Sequence, residues 1–431
     1  MANQSKGRSP ATVAIIDGIR IPFQRSGTGY RDLMGYQLGE FAVRALLEKT
    51  GAPREEIDHL IFGITVHEVR THNIAREVCF AADLPHQVNA HTVSVACVSA
   101  NQAITNVADV IYRGYADVAI AGGVDTLSDP PISYRRKLRK KLLALRKTKG
   151  VIEHFKLFRD LRPRDLAPEP FSITEFSTDL SMGQNADRLA NRLGVARSDQ
   201  DEFAVRSHNL AVQAQESGVL AEEIAPVQTN GQTIASDNGP RKGSTIEKVA
   251  KLRPAFSADG TVTAGNSSFL TDGAAAVLLM SEEKAKALGL KPKAYLRSYA
   301  FAGTDPLEEL LLGPAYAIPL ALKRAGIGFE NLDVLEIHEA FAVQMLSVLR
   351  LLESDEFARE KLGRSGAVGK VDWDKLNVHG GSLSLGHPFG ATGGRLVTTC
   401  LNRLIREDGQ FGLVAACGGG GCGNAIILER A

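Results

Sequence analysis

One short grammar is written twice in this chain, and it constrains the fold more than any other feature. An apolar strand leads to a turn with a reactive side chain, then a helix, a second apolar strand and glycines. In the first half it runs through a strand at residues 92–95, the turn around Cys97, helical spacing over 100–114 and the strand 118–123, VAIAGG. In the last third it runs through a strand at 334–337, helical spacing over 340–352 and the glycine-rich turn 380–394. A helix over 395–406 and a strand at 413–416 follow, with glycine from Gly418 to Gly421. Two such units imply an internal duplication. Earlier segments keep the same alternation: strands at 12–16 and 60–65, helices at 38–50 and 75–82. Strands alternating with helices over short connections predict an α/β chain with a mainly parallel sheet.

Residues 128–254 break this rhythm. They are rich in charge and proline (Pro163, Pro168, Pro170, Pro226, Pro240), with helical stretches and few strand signals, and read as an insertion. Core-like sequence returns over 262–280. The expected organisation is residues 10–127 with 255–285 as the first half, 128–254 as an inserted loop domain, and 290–431 as the second half. A hydrophobic content of 44% supports a large core, and 50 Lys+Arg against 49 Asp+Glu leave no global field for nucleic acid. Five cysteines, odd in number and without close pairing, argue against a disulfide framework and for a reducing compartment. No apolar run approaches a membrane span, and the first residues lack a signal core, so the expected location is cytoplasmic.

Four constellations carry chemistry. Cys97 lies at a strand-to-helix junction, where free peptide N–H groups and the helix dipole are expected to lower a thiol pKa. Local context leaves nucleophile and buried structural cysteine equally open. His387, in Leu385-Gly-His-Pro-Phe389, is held among glycines at a helix start, where an imidazole can face a thiol; a loop histidine satisfied by backbone is the bland alternative. Cys417 begins the run Cys417-Gly-Gly-Gly-Gly-Cys422. The formal G-x-G-x-x-G here is not a dinucleotide fingerprint, because a strand and then the chain end follow it. Open peptide N–H groups beside a second cysteine suit an oxyanion instead. His338-Glu339-Ala-Phe341 follows an apolar strand and is not H-E-x-x-H, so no metal site is expected.

In this order the four pieces resemble the thiolase family, over essentially the whole chain. The resemblance implies a duplicated five-layered α/β/α/β/α core with an inserted loop domain that helps bind substrate, and a homodimer. It implies that Cys97 is acylated and His387 activates it, while Cys417 is the acid/base for the second substrate. It further implies that Gly419 and Cys97 N–H groups form one oxyanion hole, and His387 with His338 the other. Ser268 and Arg241 match coenzyme A contacts, and Met182 matches a residue lining the acyl pocket. Most members carry Asn where this chain has His338. A histidine there looks like the β-subunits of fatty-acid-oxidation trifunctional complexes, as does the stretch Asn266-Ser-Ser-Phe-Leu-Thr-Asp-Gly273.

The implied reaction is thiolysis of a 3-ketoacyl-CoA by CoA, with acyl-CoA and CoA as substrates and no separate cofactor. A biosynthetic acetoacetyl-CoA thiolase is the alternative within the class. A non-catalytic lipid or CoA carrier is a further one, disfavoured by Cys97, His387 and Cys417 occurring together. Residues 135–149, RRKLRKKLLALRKTK, hold nine basic and no acidic residues, with Leu138, Leu142 and Leu145 at i, i+4 and i+7. A solvated helix packed on the insertion, a membrane-surface helix and a docking face for a hydratase/dehydrogenase α-subunit all fit this pattern.

Overall fold

A computed structural model describes residues 12–169 and 173–431; the first eleven residues, scanned above for a signal core, and Pro170 lie outside them. The first half comprises β1 (Val13–Arg20), α1 (Gly35–Thr50), β2 (His59–Gly63), α2 (Ile74–Ala81), β3 (Asn89–Val93), α3 (Ser99–Tyr112) and β4 (Val118–Asp125). α1 shows how local rules set an element. Leu38, Ala42, Val43, Leu46 and Leu47 make one buried face, and Gly51 ends the helix at φ 67°, its N–H 2.9 Å from the Leu47 carbonyl oxygen. Only after the intervening segment does the chain return to this sheet, as β5 (Thr271–Ser281). The intervening residues form short two-stranded pairs and four main helices among the described residues. These are α4 (Arg136–Leu145), α5 (Val151–Phe158), α6 (Met182–Leu193) and α7 (Arg197–Glu216). The second half supplies β6 (Ala294–Gly303), α8 (Gly313–Ala325), β7 (Val334–Ile337), α9 (Ala342–Leu352), α10 (Thr392–Arg406), β8 (Phe411–Gly418) and β9 (Cys422–Arg430).

The strand order is β7-β8-β9-β6-β1-β5-β4-β2-β3. The expectation of a mainly parallel sheet fails. β2 runs parallel to β3 and β4, and β7 to β8, but β1–β5, β4–β5, β6–β9, β8–β9 and β1–β6 are antiparallel. A strand buried on both faces is uniformly apolar, so its sequence does not reveal its direction. Among the described residues the two halves are joined in this sheet through Ala14 opposite Tyr295 and Ile15 opposite Ala294.

Packing divides the molecule into five layers. α1 and α2 cover the outer face of the first-half strands, and α8 and α9 that of the second-half strands. Between the sheet halves lie α3 and α10, whose Ile104, Val107, Leu396 and Leu401 join one core with Ile61, Val277, Val414 and Ile426. α10 is therefore buried on nearly every side. Helices α6 and α7 of the inserted segment pack on the second half: Leu189, Ala190 and Phe203 share a core with Ile337, Val343 and Leu383. The segment thus leaves one half and seals against the other.

Two loops meet at the seam. A Cβ on Gly123 would lie 1.9 Å from the Gly390 carbonyl oxygen, so backbone touches backbone there. Beside them the buried Asp125 carboxylate accepts N–H groups of Val66 at 2.8 Å and Gly390 at 2.5 Å. Gly123→Ala is expected to cost about 1–3 kcal/mol through overpacking. Its activity loss should exceed what unfolding explains, because Gly390 adjoins the His387 loop. Thermal denaturation alongside turnover at a temperature where the variant stays folded checks this.

Candidate active site

Cys97 sits where β3 turns into α3. Ala96 before it has φ 47°, a left-handed conformation costing a non-glycine residue roughly 1–3 kcal/mol. Hydroxyls of Thr65 and Ser99 donate to the Ala96 carbonyl at 3.0 and 2.7 Å and hold the turn. The turn brings the Cys97 sulfur against two peptide donors, its own N–H and that of Gly419. Gly419 belongs to the β8–β9 turn, where Gly420 and Gly421 have φ 78° and 72°. Glu175 of the inserted segment accepts the Gly420 N–H at 2.6 Å and pins that turn.

The second half brings the imidazoles. Gly386 has φ 109°, and a Cβ on it would press on the Thr271 hydroxyl at 2.7 Å. That hydroxyl accepts the His387 N–H at 3.0 Å. His387 Nδ1 is 2.6 Å from Thr392 Oγ1, whose proton goes to the Pro388 carbonyl oxygen at 3.0 Å. Nδ1–H is therefore the donor, and Nε2 is left bare and unpartnered. His338 follows β7, with its ring centroid 4.1 Å from that of His387. The Cys97 sulfur and one nitrogen from each ring lie within 4.8 Å of one another. Among the described residues this is the one group of His, Cys, Asp and Glu close enough to hold a metal ion, and a metal there would occupy the thiol.

Cys97, His387, Cys417, Gly419, Met182 and Ser268 line one cavity of about 510 Å³, with Ile173, Phe256, Leu270, Leu311, Phe341 and Phe389 making much of the rest apolar. His338 is fully buried, with one ring nitrogen within 4.8 Å of the Cys97 sulfur. Arg241 lies outside the lining and is exposed; its N–H meets His208 Nδ1 at 3.3 Å. Sequence motifs missed Arg25, whose guanidinium stacks 3.8 Å over the Phe269 ring at the cavity. Burial and the neighbouring Arg241 hold Arg25 below its ordinary pKa. Burial and these two cations push His208 down to about 4. No spacing rule marks Arg25, since only the fold brings it near Arg241.

The electrostatics reverse one expectation. Burial pushes the Cys97 thiol up to about 12, outweighing the Gly419 and Cys97 N–H groups that favour the thiolate. The dipoles anticipated at the junction are present, but removal from water is the larger effect. Burial and the charge of Arg395 push His387 down to about 3. His338 is held well below its usual range by burial and by His387, and burial raises Cys417 as well. The resting site is therefore uncharged. A neutral thiol faces a neutral imidazole with a free lone pair, so the proton passes as the sulfur attacks.

The match to known proteins covers nearly the whole chain. The profile of the thiolase N-terminal domain fits residues 13–283, and that of the thiolase C-terminal domain fits 290–430. The mitochondrial trifunctional enzyme subunit beta of Bos taurus is 48% identical over 419 residues, 97% of this chain and 88% of that one. A 3-ketoacyl-CoA thiolase of Yersinia pestis is 47% identical over 420 residues, 97% of this chain and 96% of that one. The crystal structure of human mitochondrial 3-ketoacyl-CoA thiolase superposes with a TM-score of 0.84 at 31% identity, covering 98% of this chain and 99% of that chain.

With the Cys97 pKa raised and that of His387 lowered, no thiolate–imidazolium pair preforms near neutral pH. Alkylation of Cys97 by iodoacetamide should therefore climb about tenfold per pH unit between about pH 6 and 9. Mass spectrometry of the Cys97 peptide reads the rate; a plateau below about pH 7 would show a preformed thiolate instead.

Proposed function

This chain belongs to the thiolase family, and we propose that its site works as follows. The protein is an acyltransferase, a 3-ketoacyl-CoA thiolase of fatty-acid β-oxidation. The observation that carries the mechanism is the convergence of Cys97, His387, Cys417 and Gly419 on one apolar cavity. Cys97 sulfur attacks the 3-keto carbon while its proton passes to His387 Nε2. The peptide N–H groups of Cys97 and Gly419 stabilise the tetrahedral oxyanion. The bond between C2 and C3 breaks, and His338 and His387 stabilise the enolate oxygen of the departing acetyl-CoA. The Cys417 thiol protonates C2. Cys417, now a thiolate, takes the proton of incoming CoA, whose sulfur attacks the acyl-Cys97 carbonyl. The sulfur of Cys97 leaves and regains its proton from His387. No cofactor beyond the substrate CoA enters this scheme.

Ser268 and Met182 are proposed to flank the pantetheine and the acyl chain. Arg25 and Arg241, two neighbouring cations, are proposed to take the CoA phosphates. The apolar wall favours medium and long acyl chains over the acetoacetyl alternative. Two copies are proposed to pair beside the outer edge of β3, which has no neighbouring strand beyond it among the described residues. The proposed location is cytoplasmic, in keeping with five free thiols. No described helix is long and apolar enough to cross a membrane.

The basic segment forms α4, and part of it faces inward. Leu138 is buried, and Lys137 and Lys141 are tied to Asp160. Arg139, Lys140, Arg146 and Lys147 are exposed, beside bare Leu142, Leu143, Val151, Ile152 and Phe155 on the α4–α5 hairpin. Cations around an apolar tip fit an anionic lipid surface. The same hairpin and the kinship with the trifunctional subunit support a hydratase/dehydrogenase α-subunit as partner.

Thiolysis should be measured from acetoacetyl-CoA to long-chain 3-ketoacyl-CoAs. A kcat/KM that rises with chain length is expected, and one highest for acetoacetyl-CoA overturns the chain-length proposal. Cys97→Ser should abolish both acylation and thiolysis. Cys417→Ala should still be acylated at Cys97 by a simple acyl-CoA, yet lose at least ~10²-fold in carbon–carbon cleavage.

Replacing Leu143, Ile152 and Phe155 by Ser, with Arg139 and Lys140 changed to Glu, should abolish co-sedimentation with anionic liposomes at about 0.15 M salt, where the Debye length is ~8 Å. Equal sedimentation of wild type and variant removes the membrane contact.

A further inference from the structure

We infer that Ser382 and Arg395 are positioning residues that fix His338 in the tautomer with its proton on Nε2, making it a hydrogen-bond donor where His387 is an acceptor. This rests on the roles proposed above for the two histidines. The proposed chemistry needs opposite behaviour from two neutral imidazoles whose centroids are 4.1 Å apart. Two bare Nε2 atoms at rest would leave the enolate with the single donor that His387 gains from Cys97, and two protonated ones would leave Cys97 without a base. The rings themselves are identical, so the choice lies with what each Nδ1 meets.

Each Nδ1 meets a hydroxyl, and the hydroxyls differ in their second partner. Thr392 spends its proton on the Pro388 carbonyl oxygen, so toward His387 it can only accept. Ser382 is the reverse case. Its oxygen is 2.9 Å from Arg395 Nη2, and a guanidinium can only donate. The Ser382 proton is thereby free for its other partner, His338 Nδ1, at 2.9 Å. Nδ1 then carries the lone pair, and the proton of the neutral ring is on Nε2, which has no partner in the resting protein.

Arg395 is otherwise poorly served. It is fully buried, its Nη1 stands 3.6 Å from Glu336 Oε2, and its Nε and Nη1 make no hydrogen bond. Glu336 instead bonds Arg403 at 2.9 Å. A buried guanidinium with two unmet donors costs stability. Its one good hydrogen bond goes to the hydroxyl that orients His338.

Histidine-selective ¹⁵N labelling tests this on the intact protein without reference to activity. In the wild type, ¹⁵N–¹H correlations assigned to His338 by loss of its signals in His338→Asn should show a protonated Nε2 and a bare Nδ1. A protonated Nδ1 overturns the inference. Ser382→Ala should mix the two forms, and Ser382→Thr, which keeps the hydroxyl, should restore the first. In kinetics, Ser382→Ala should lower kcat for carbon–carbon cleavage about tenfold or more with KM little changed, while acylation of Cys97 by a simple acyl-CoA continues at the wild-type rate. Equal losses in both reactions, or no loss in cleavage, would overturn the positioning role. A wild-type protein inactive in thiolysis would overturn the functional reading instead, leaving the tautomer measurement to stand.

Discussion

Everything in this molecule depends on two backbones touching at the seam of a duplicated fold. Gly123, near the end of β4, meets the Gly390 carbonyl with no room for a side chain. Asp125 fastens the contact by accepting N–H groups from Val66 in the first half and Gly390 in the second. Burial pushes this carboxyl up to about 6 even though peptide donors surround it. Such a group is a costly anchor. What it secures is register: the turn that carries Cys97 and the turn that carries His387 come from opposite halves, and the chemistry needs them within reach of each other.

The site presents fixed dipoles in an apolar cavity rather than resident charge. The thiol and both imidazoles are driven toward their neutral forms by burial. Peptide N–H groups at Cys97 and Gly419 already point at the sulfur, so little reorganisation accompanies the appearance of negative charge on an oxygen bound there. Full charges are kept at the periphery or in the layers behind. Arg25 stands over the Phe269 ring with Arg241 as its neighbour, and the Glu336–Arg395–Arg403 cluster is fully buried. The inserted segment takes part as well. Glu175 holds the glycine turn, and Met182 forms cavity wall.

Much of this was legible in the residues. The strand–turn–helix grammar located Cys97 and His387 as turn residues and Cys417 at the end of a strand, and all three line the same cavity. The strand-like sequence after the glycine run spoke against a dinucleotide fingerprint, and that stretch does form β9. Three things were not legible. Strand direction was one, because buried strands are apolar whichever way they run. The Cys97 pKa was another: the sequence shows a helix start, but not how much water the other half removes. Ser382, Arg395 and Arg25 were the third, since none sits in a spacing that marks its use.

The sequence by itself determined which atoms could react and which elements would carry them. Periodicity, glycine placement and residue chemistry are local properties, written within a few positions of one another. Only the tertiary structure decided which nitrogen of which histidine is bare, how far each thiol is from ionising, and that Arg25 stands beside Arg241. Those depend on desolvation and on hydrogen-bond partners far apart in the chain, as with Asp125 and Gly390 across the seam. Such contacts exist only once α3 and α10 have closed the middle layer between the two halves.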